Sequence, residues 1–568
     1  MISKSLERLL SRLEESRYRF GSGEVDRVVR LLNALARIRV KDPTSFIRLH
    51  ETLLFLRAFP QAPGVVRAVE KLLNSFWKKV AELRAGEEDL SSWETFEFAG
   101  VSGTTMEDTL SFDVARWLIR RLPGRVEIAW DNYEPGREAG AVWPRFMPLL
   151  EDDAFVEADT PWRKWLDSAR GKKNSAEWLI EHFESLELPD RDKAELYDSL
   201  RLPLRWDLGN SRVSRTRNFG TMWDPRQKTF YHTEPLISRS QVSLAVELAR
   251  KPPALIKLSR KEGERVMDAI REVMLVRYRE LYGTTLGDPA SVVRADVGRG
   301  VSIYLWSLPP ERRLPLRAYV AGFTWKNGVP VNYIEAIGLC EWMEVGFNTF
   351  YTFRGGETAW IYAQVLRCLC HLMGTTCMSV YPYQLGHDNE EAIQSGAFWF
   401  YRKLGFRPGR PELLRLVENE ESKIAANPKY RTPARTLRRL AASHVFYELL
   451  GSEVGAWDRF STRNIGVRVN ARMARDFGGN AQRMRTESAR RLARSLGANT
   501  TSWTKIEKAS LENLAVALAS ARLSEWTSAE RDALLRIIRA KSARDEMKFL
   551  HLTRGHPRLR DALLKIGS

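Results

Sequence analysis

The chain has 568 residues, 44% of them hydrophobic and 28% charged, with a formal net charge of +18. That length exceeds one hydrophobic core and points to three or four domains, and the composition is that of a globular chain, which excludes a fibrous or wholly disordered protein. No run of about 18 apolar residues occurs, so no membrane span is expected, and the amphipathic start MISKSLERLLSRLEESRYRF lacks the apolar core of a secretory signal.

Residues 1–90 read as helices: Leu9, Leu10 and Leu13, then Val28, Val29, Leu31, Leu32 and Leu35, recur at helical spacing. Turns are expected at Lys41-Asp42-Pro43-Thr44 and from Pro60 to Gly64. Residues 91–240 read as a mixed α/β region. A helix runs through Val114, Trp117 and Leu118, and Arg125 to Trp130 alternates like a strand. The run Glu151-Asp152-Asp153 is a solvated loop or a carboxylate cluster for a metal. Segment 205–235, with Arg212, Arg215, Arg217 and His232, reads as an irregular surface excursion, with a ligand-cleft lining as the other reading.

Residues 241–425 carry the clearest pattern. Strand-like runs cover Val301 to Leu308, Arg317 to Trp325, Val329 to Leu339 and Glu344 to Phe353. Lys326-Asn327-Gly328 joins the second and third, and Asn-Gly between apolar alternations is a strong hairpin signal. Next comes Phe353-Arg354-Gly355-Gly356-Glu357-Thr358-Ala359-Trp360, a glycine turn opening a helix, then a second strand and a helix closing on Tyr401-Arg402-Lys403-Leu404-Gly405-Phe406. Unpaired N–H groups at a helix start suit a phosphate. The expected fold class is α+β, a mixed sheet with flanking helices between helical ends.

All four cysteines, Cys340, Cys368, Cys370 and Cys377, fall in this region. So few in so long a chain argue for reduced thiols in a cytoplasmic protein. Cys368, Cys370 and His371 point to different faces of one helix, so buried thiols and no metal are expected.

Residues 426–568 read as basic helices, with 28 Lys and Arg against 13 Asp and Glu, an excess of +15. One helix is expected from Thr432-Pro433 through Leu437, Leu440 and Val445, and two more between Thr527 and Leu564. A localised excess points to a polyanionic partner, tRNA or DNA, or to a solvated basic face. Asp476-Phe477-Gly478 copies the kinase triplet without the other kinase elements, and is read as chance.

About residues 260–415 resemble the GNAT-type N-acetyltransferase fold. That family's pyrophosphate loop is Arg/Gln-x-x-Gly-x-Gly/Ala, on which Arg354, Glu357 and Ala359 fall. Its later motif, Asn-x-x-Ala-x-x-x-Tyr-x-x-x-Gly-Phe, is matched in spacing by Gln394, Ala397, Tyr401, Gly405 and Phe406, with Asn389 as an alternative to Gln394. The resemblance implies an acyl-CoA-dependent N-acyltransferase using acetyl-CoA or another acyl-CoA and an amine acceptor. Arg354, Gly355, Gly356, Thr358, Ala359, Gln394 and Asn389 would hold the cofactor. Tyr401 would protonate the leaving thiolate, and Glu335, Glu341, Glu344 and His387 are candidate bases. Glu357 stands where the family has Gly, a carboxylate where phosphate oxygens belong. The alternatives are an aminoacyl-tRNA-dependent transferase and a nucleic-acid-binding or scaffold protein on a degenerate form of the fold.

Overall fold

A computed structural model describes all residues except 1–3, 22, 39–41, 87–90, 96, 148–160, 220–227 and 522. The acidic run Glu151-Asp152-Asp153 lies outside the described residues. The chain divides into two compact units. One is Met1–Pro235 with Val266–Thr285 and Asn327–Pro330, the other Leu236–Arg265 with Leu286–Lys326 and Val331–Ser568.

The first unit opens with four helices, Lys4–Ser16, Glu24–Arg37, Pro43–Ala58 and Pro63–Ala85. The third starts where Asp42 accepts the Ser45 N–H at 2.7 Å and Pro43 fixes the first turn. It is buried almost all round, as a helix enclosed by neighbours requires. A three-stranded antiparallel sheet follows, β1 (Thr105–Thr109), β2 (Val126–Ile128) and β3 (Pro203–Asp207), with β3 in the middle. Phe112, Trp143, Phe183, Tyr197 and Trp206 fill the core beside it.

Residues 205–219 are not the surface excursion that the polar composition of segment 205–235 suggests, and 220–227 lie outside the described residues. Trp206, Leu208 and Val213 are core residues, and Arg215 is 2% exposed. The Arg215 guanidinium donates twice to Glu51, at 2.8 and 2.7 Å, and Glu51 also meets His50 Nδ1 at 2.9 Å. His50 Nε2 contacts the Thr216 hydroxyl at 3.0 Å. Burial holds the imidazole below its ordinary value against the pull of Glu51. This buried network ties the segment into the bundle.

The second unit contains a nine-stranded sheet in the order β11-β12-β10-β9-β8-β7-β6-β5-β4. Its strands are β4 (Ile256–Lys257), β5 (Val293–Gly298), β6 (Val301–Ser307), β7 (Ala318–Lys326), β8 (Val329–Leu339), β9 (Trp342–Thr349), β10 (Cys377–Val380), β11 (Arg407–Pro408) and β12 (Val445–Glu448). Every residue of β6 and β7 is buried, so these strands read as apolar runs rather than as alternation. Asn327 and Gly328 turn the β7–β8 hairpin with φ of 49° and 77°, the left-handed pair that a two-residue turn demands. Helix Thr358–Met373 packs on the face that carries Gly338, where an added Cβ would lie 2.6 Å from the Met373 side chain.

The structure corrects several sequence expectations. Val445 lies in a strand, not a helix: β12 pairs antiparallel with both β10 and β11 and so completes the sheet. The strand expected to reach Phe353 stops at Thr349, and a 3-10 turn, Tyr351–Phe353, leads into the glycine turn. The helix expected before Phe406 is two helices, Glu390–Ser395 and Ala397–Arg402, broken at Gly396 with φ 66°. The tail from Thr527 holds three helices, Ser528–Ser542, Met547–Arg554 and Pro557–Gly567. Asp476-Phe477-Gly478 is a helix end, with Gly478 left-handed at φ 58°. Among the described residues, no helix is long and apolar enough to cross a membrane, and no group of three or more His, Cys, Asp or Glu is arranged to hold a metal.

Candidate functional site

Strands β9 and β10 are parallel neighbours over a short distance: Cys377, Met378 and Ser379 stand opposite Trp342, Met343 and Glu344. Beyond that, β9 continues to Thr349 still paired with β8, whereas the chain leaves β10 at Val380 for the helix Pro382–Leu385. The carboxyl ends of two parallel strands thus part company. Such a point is where open sheets place ligands. Helix Thr358–Met373 starts next in the chain after β9 and the glycine turn, and its amino end brings unpaired N–H groups and a partial positive charge.

The glycine turn is open. Arg354 and Gly355 are exposed, Gly356 and Thr358 half-buried, and Ala359 buried. The Arg354 guanidinium pairs with Glu391 at 2.6 Å, and the Thr358 hydroxyl donates to the Arg354 carbonyl at 3.2 Å. Glu357 does not face the turn. Its side chain is 0% exposed, ion-paired to Arg299, whose Nε donates at 3.1 Å, and to Lys326 at 3.4 Å. It also accepts the Ile237 N–H at 3.2 Å. The like-charge clash with a phosphate, expected from the sequence, is therefore absent from the turn. Lys326 is the second cation on one carboxylate. Burial pushes its ammonium down to about 7, with Glu357 opposing and Arg299 assisting.

The face of β8 and β9 toward the helix holds further polar groups. Phe347, in the part of β9 that β10 does not cover, packs its ring 4.8 Å from that of Tyr362. The Tyr362 and Tyr401 rings lie 5.8 Å apart. Tyr401 is 4% exposed, and burial raises its phenol above the ordinary tyrosine value. The Tyr362 hydroxyl has no hydrogen-bond partner. Neither does the Asn332 amide, on a residue 1% exposed, nor the hydroxyl of Thr349, directly opposite Asn332 in the register. Each such group costs about 1–3 kcal/mol while it stays unpaired.

The other face of β8 and β9 carries Glu335 and Glu344, on alternate residues from Phe347 by the register. Glu335 is half-buried and accepts the Tyr319 hydroxyl. Glu344 meets His444 Nε2 at 2.8 Å and Arg317 at 3.6 Å. Burial alone would raise its carboxyl, but the hydrogen bond and charge of His444, with Arg317, outweigh it and hold the group below the usual carboxylate value. The Tyr381 ring lies 5.3 Å from His444.

The remaining sequence candidates are dispersed. Glu341 is in the turn between β8 and β9, where it accepts from the Trp457 indole at 2.7 Å and Arg560 at 2.6 Å. Asn389 caps helix Glu390–Ser395, accepting the Ala392 N–H at 3.2 Å. His387 is exposed beside Asp388 at 3.6 Å, and Gln394 is exposed. The cysteines are free, and burial pushes the Cys368 and Cys370 thiols up to about 12. Sequence reasoning missed Arg299, Lys326, Asn332, Tyr362 and His444. Only Lys326 carried a signal, as a charge at the end of an apolar strand. Comparison of the chain with known protein families, with curated proteins and with solved structures finds no match.

Proposed function

We propose that the second unit is an acyl-CoA-dependent N-acyltransferase with a GNAT-like core. The observation that carries this reading is the divergence of β9 from β10 beside a glycine turn and helix start from which the Glu357 carboxylate is withdrawn. Support also comes from the order of elements. An antiparallel run leads to strand, turn, helix and parallel strand, and the last strand, β12, inserts between β10 and β11.

In this reading the N–H groups at Gly355 and Thr358, with the Arg354 charge, hold the pyrophosphate. The free edge of β9 beyond Glu344 takes the pantetheine arm by backbone hydrogen bonds. The acyl carbonyl sits near Tyr362 and Tyr401, and the raised Tyr401 phenol keeps its proton until a thiolate leaves. On the opposite face, His444 takes the amine proton, held in its orientation by Glu344, which stays anionic. Nitrogen attacks the thioester carbonyl, the C–S bond breaks, and the thiolate receives the Tyr401 proton.

The test is acyl-CoA-dependent release of free thiol with a panel of primary amines. Tyr401→Phe should lower kcat by roughly 10²-fold with KM unchanged, the size of a lost general acid. Wild-type kcat in that variant would remove Tyr401 from the role.

A further inference from the structure

A cleft of about 720 Å³ opens in the second unit between the helix Ala397–Arg402 and the segment after the helix Pro411–Ala426. Its size is that of a small-molecule site, roughly 300–1,000 Å³. Three cations line it: Arg239, Lys403 and Arg431. None of the three forms an ion pair with a described residue. Partial burial, then Arg239 and Arg431, hold the Lys403 ammonium below its ordinary value, so the three positive groups share one field. Uncompensated like charges that converge on an open cleft call for an anion.

The walls are aromatic and fixed. The Trp399 indole N–H donates to the Thr432 hydroxyl at 3.2 Å, and the Tyr430 hydroxyl donates to Glu420 at 2.8 Å, leaving both rings as faces of the cleft. Phe400 adds apolar surface. Rings held by their polar ends offer a stacking platform for a flat base, and guanidinium and ammonium groups beside them suit a phosphate.

We propose that this cleft binds a nucleoside phosphate, the base against Trp399 and Tyr430 and the phosphate on Arg239, Lys403 and Arg431. The three cations of the cleft are not among the groups assigned to the acyl donor. Trp399 and Lys403 each lie two residues from Tyr401, about 200° around the helix. The inference does not rest on the acyl-transfer reading.

Calorimetry on the full chain tests it with adenosine and guanosine 5′-monophosphates, adenosine, inorganic phosphate and a single-stranded oligonucleotide. The monophosphates should bind. Adenosine and phosphate alone should each be weaker by about ten-fold or more, and Lys403→Glu and Trp399→Leu should each weaken the monophosphates by a similar factor. Lys403 has no partner to lose, so Lys403→Glu should keep the parent melting temperature and its response to acyl-CoA. Binding of the oligonucleotide alone, lost in Lys403→Glu, would assign the nucleotide to a strand rather than the free pool and leave the chemistry standing. Absence of binding by every probe at about 1 mM, or binding indifferent to Lys403→Glu, overturns the proposal. A lost acyl-CoA response in Lys403→Glu without nucleotide binding would give the cleft to the nucleotide half of CoA and also overturn it.

Discussion

The buried Glu357 carboxylate serves two cations, the part-exposed Arg299 and the buried Lys326. Removing the carboxylate takes an ion-pair partner from the part-exposed Arg299 and from the buried Lys326. Glu357→Gln should therefore cost roughly 3–5 kcal/mol, read as a lowered midpoint in urea unfolding. A substitution to glycine at this position would damage the fold before it could improve a phosphate loop. Lys326 gives the triad a pH dependence. Below pH about 7 folded and unfolded chains both hold its proton; between about 7 and the ordinary lysine value of roughly 10.4 only the unfolded chain does. Folding releases a proton in that window, so stability should rise with pH across it. Lys326→Met should flatten that rise in denaturant titrations at pH 7 and 9; an unchanged slope would assign the proton elsewhere. None of this triad was legible in sequence, because Arg299 and Lys326 stand 58 and 31 positions from Glu357 and no local pattern joins them.

At the scale of elements, legibility followed length and surroundings. Strands β6 to β9 are long and apolar, and Asn327-Gly328 specifies its turn, so the antiparallel run was readable from residues alone. Strand β12 was not. Its four residues, Val445 to Glu448, continue the helical phase of Leu437 and Leu440, and four residues contain too few periods to decide between helix and strand. The consequence is structural, since β12 covers β10 residue for residue from Cys377–Glu448 to Val380–Val445 and buries Val445 and Phe446. Each of these two side chains is worth about 1.5–3 kcal/mol. A chain ending at residue 425 loses β12 and leaves the β10 edge bare, and such an edge pairs with other chains. That fragment should aggregate on expression. A monodisperse fragment with the parent's cooperative unfolding would show that β12 is dispensable.

At the scale of the whole molecule, the two units differ in what they bury. The first is mainly helical with a small sheet, and the buried Arg215–Glu51–His50–Thr216 network ties its segments together. The second combines a diverging pair of parallel strands, an open glycine turn and buried polar atoms without partners. The glycine turn and the closing helix were visible in sequence as Arg354 to Ala359 and Gln394 to Phe406. The opposite face was not, because His444 reaches Glu344 through the strand order and not through proximity in the chain. The central claim is that the diverging strands hold an acyl-CoA, and thermal unfolding with acetyl-, medium- and long-chain acyl-CoAs tests it most directly. At about 1 mM ligand, at least one should raise the midpoint by about 2 °C or more, as mass action on the folded state requires. An unmoved midpoint with all three would contradict the account.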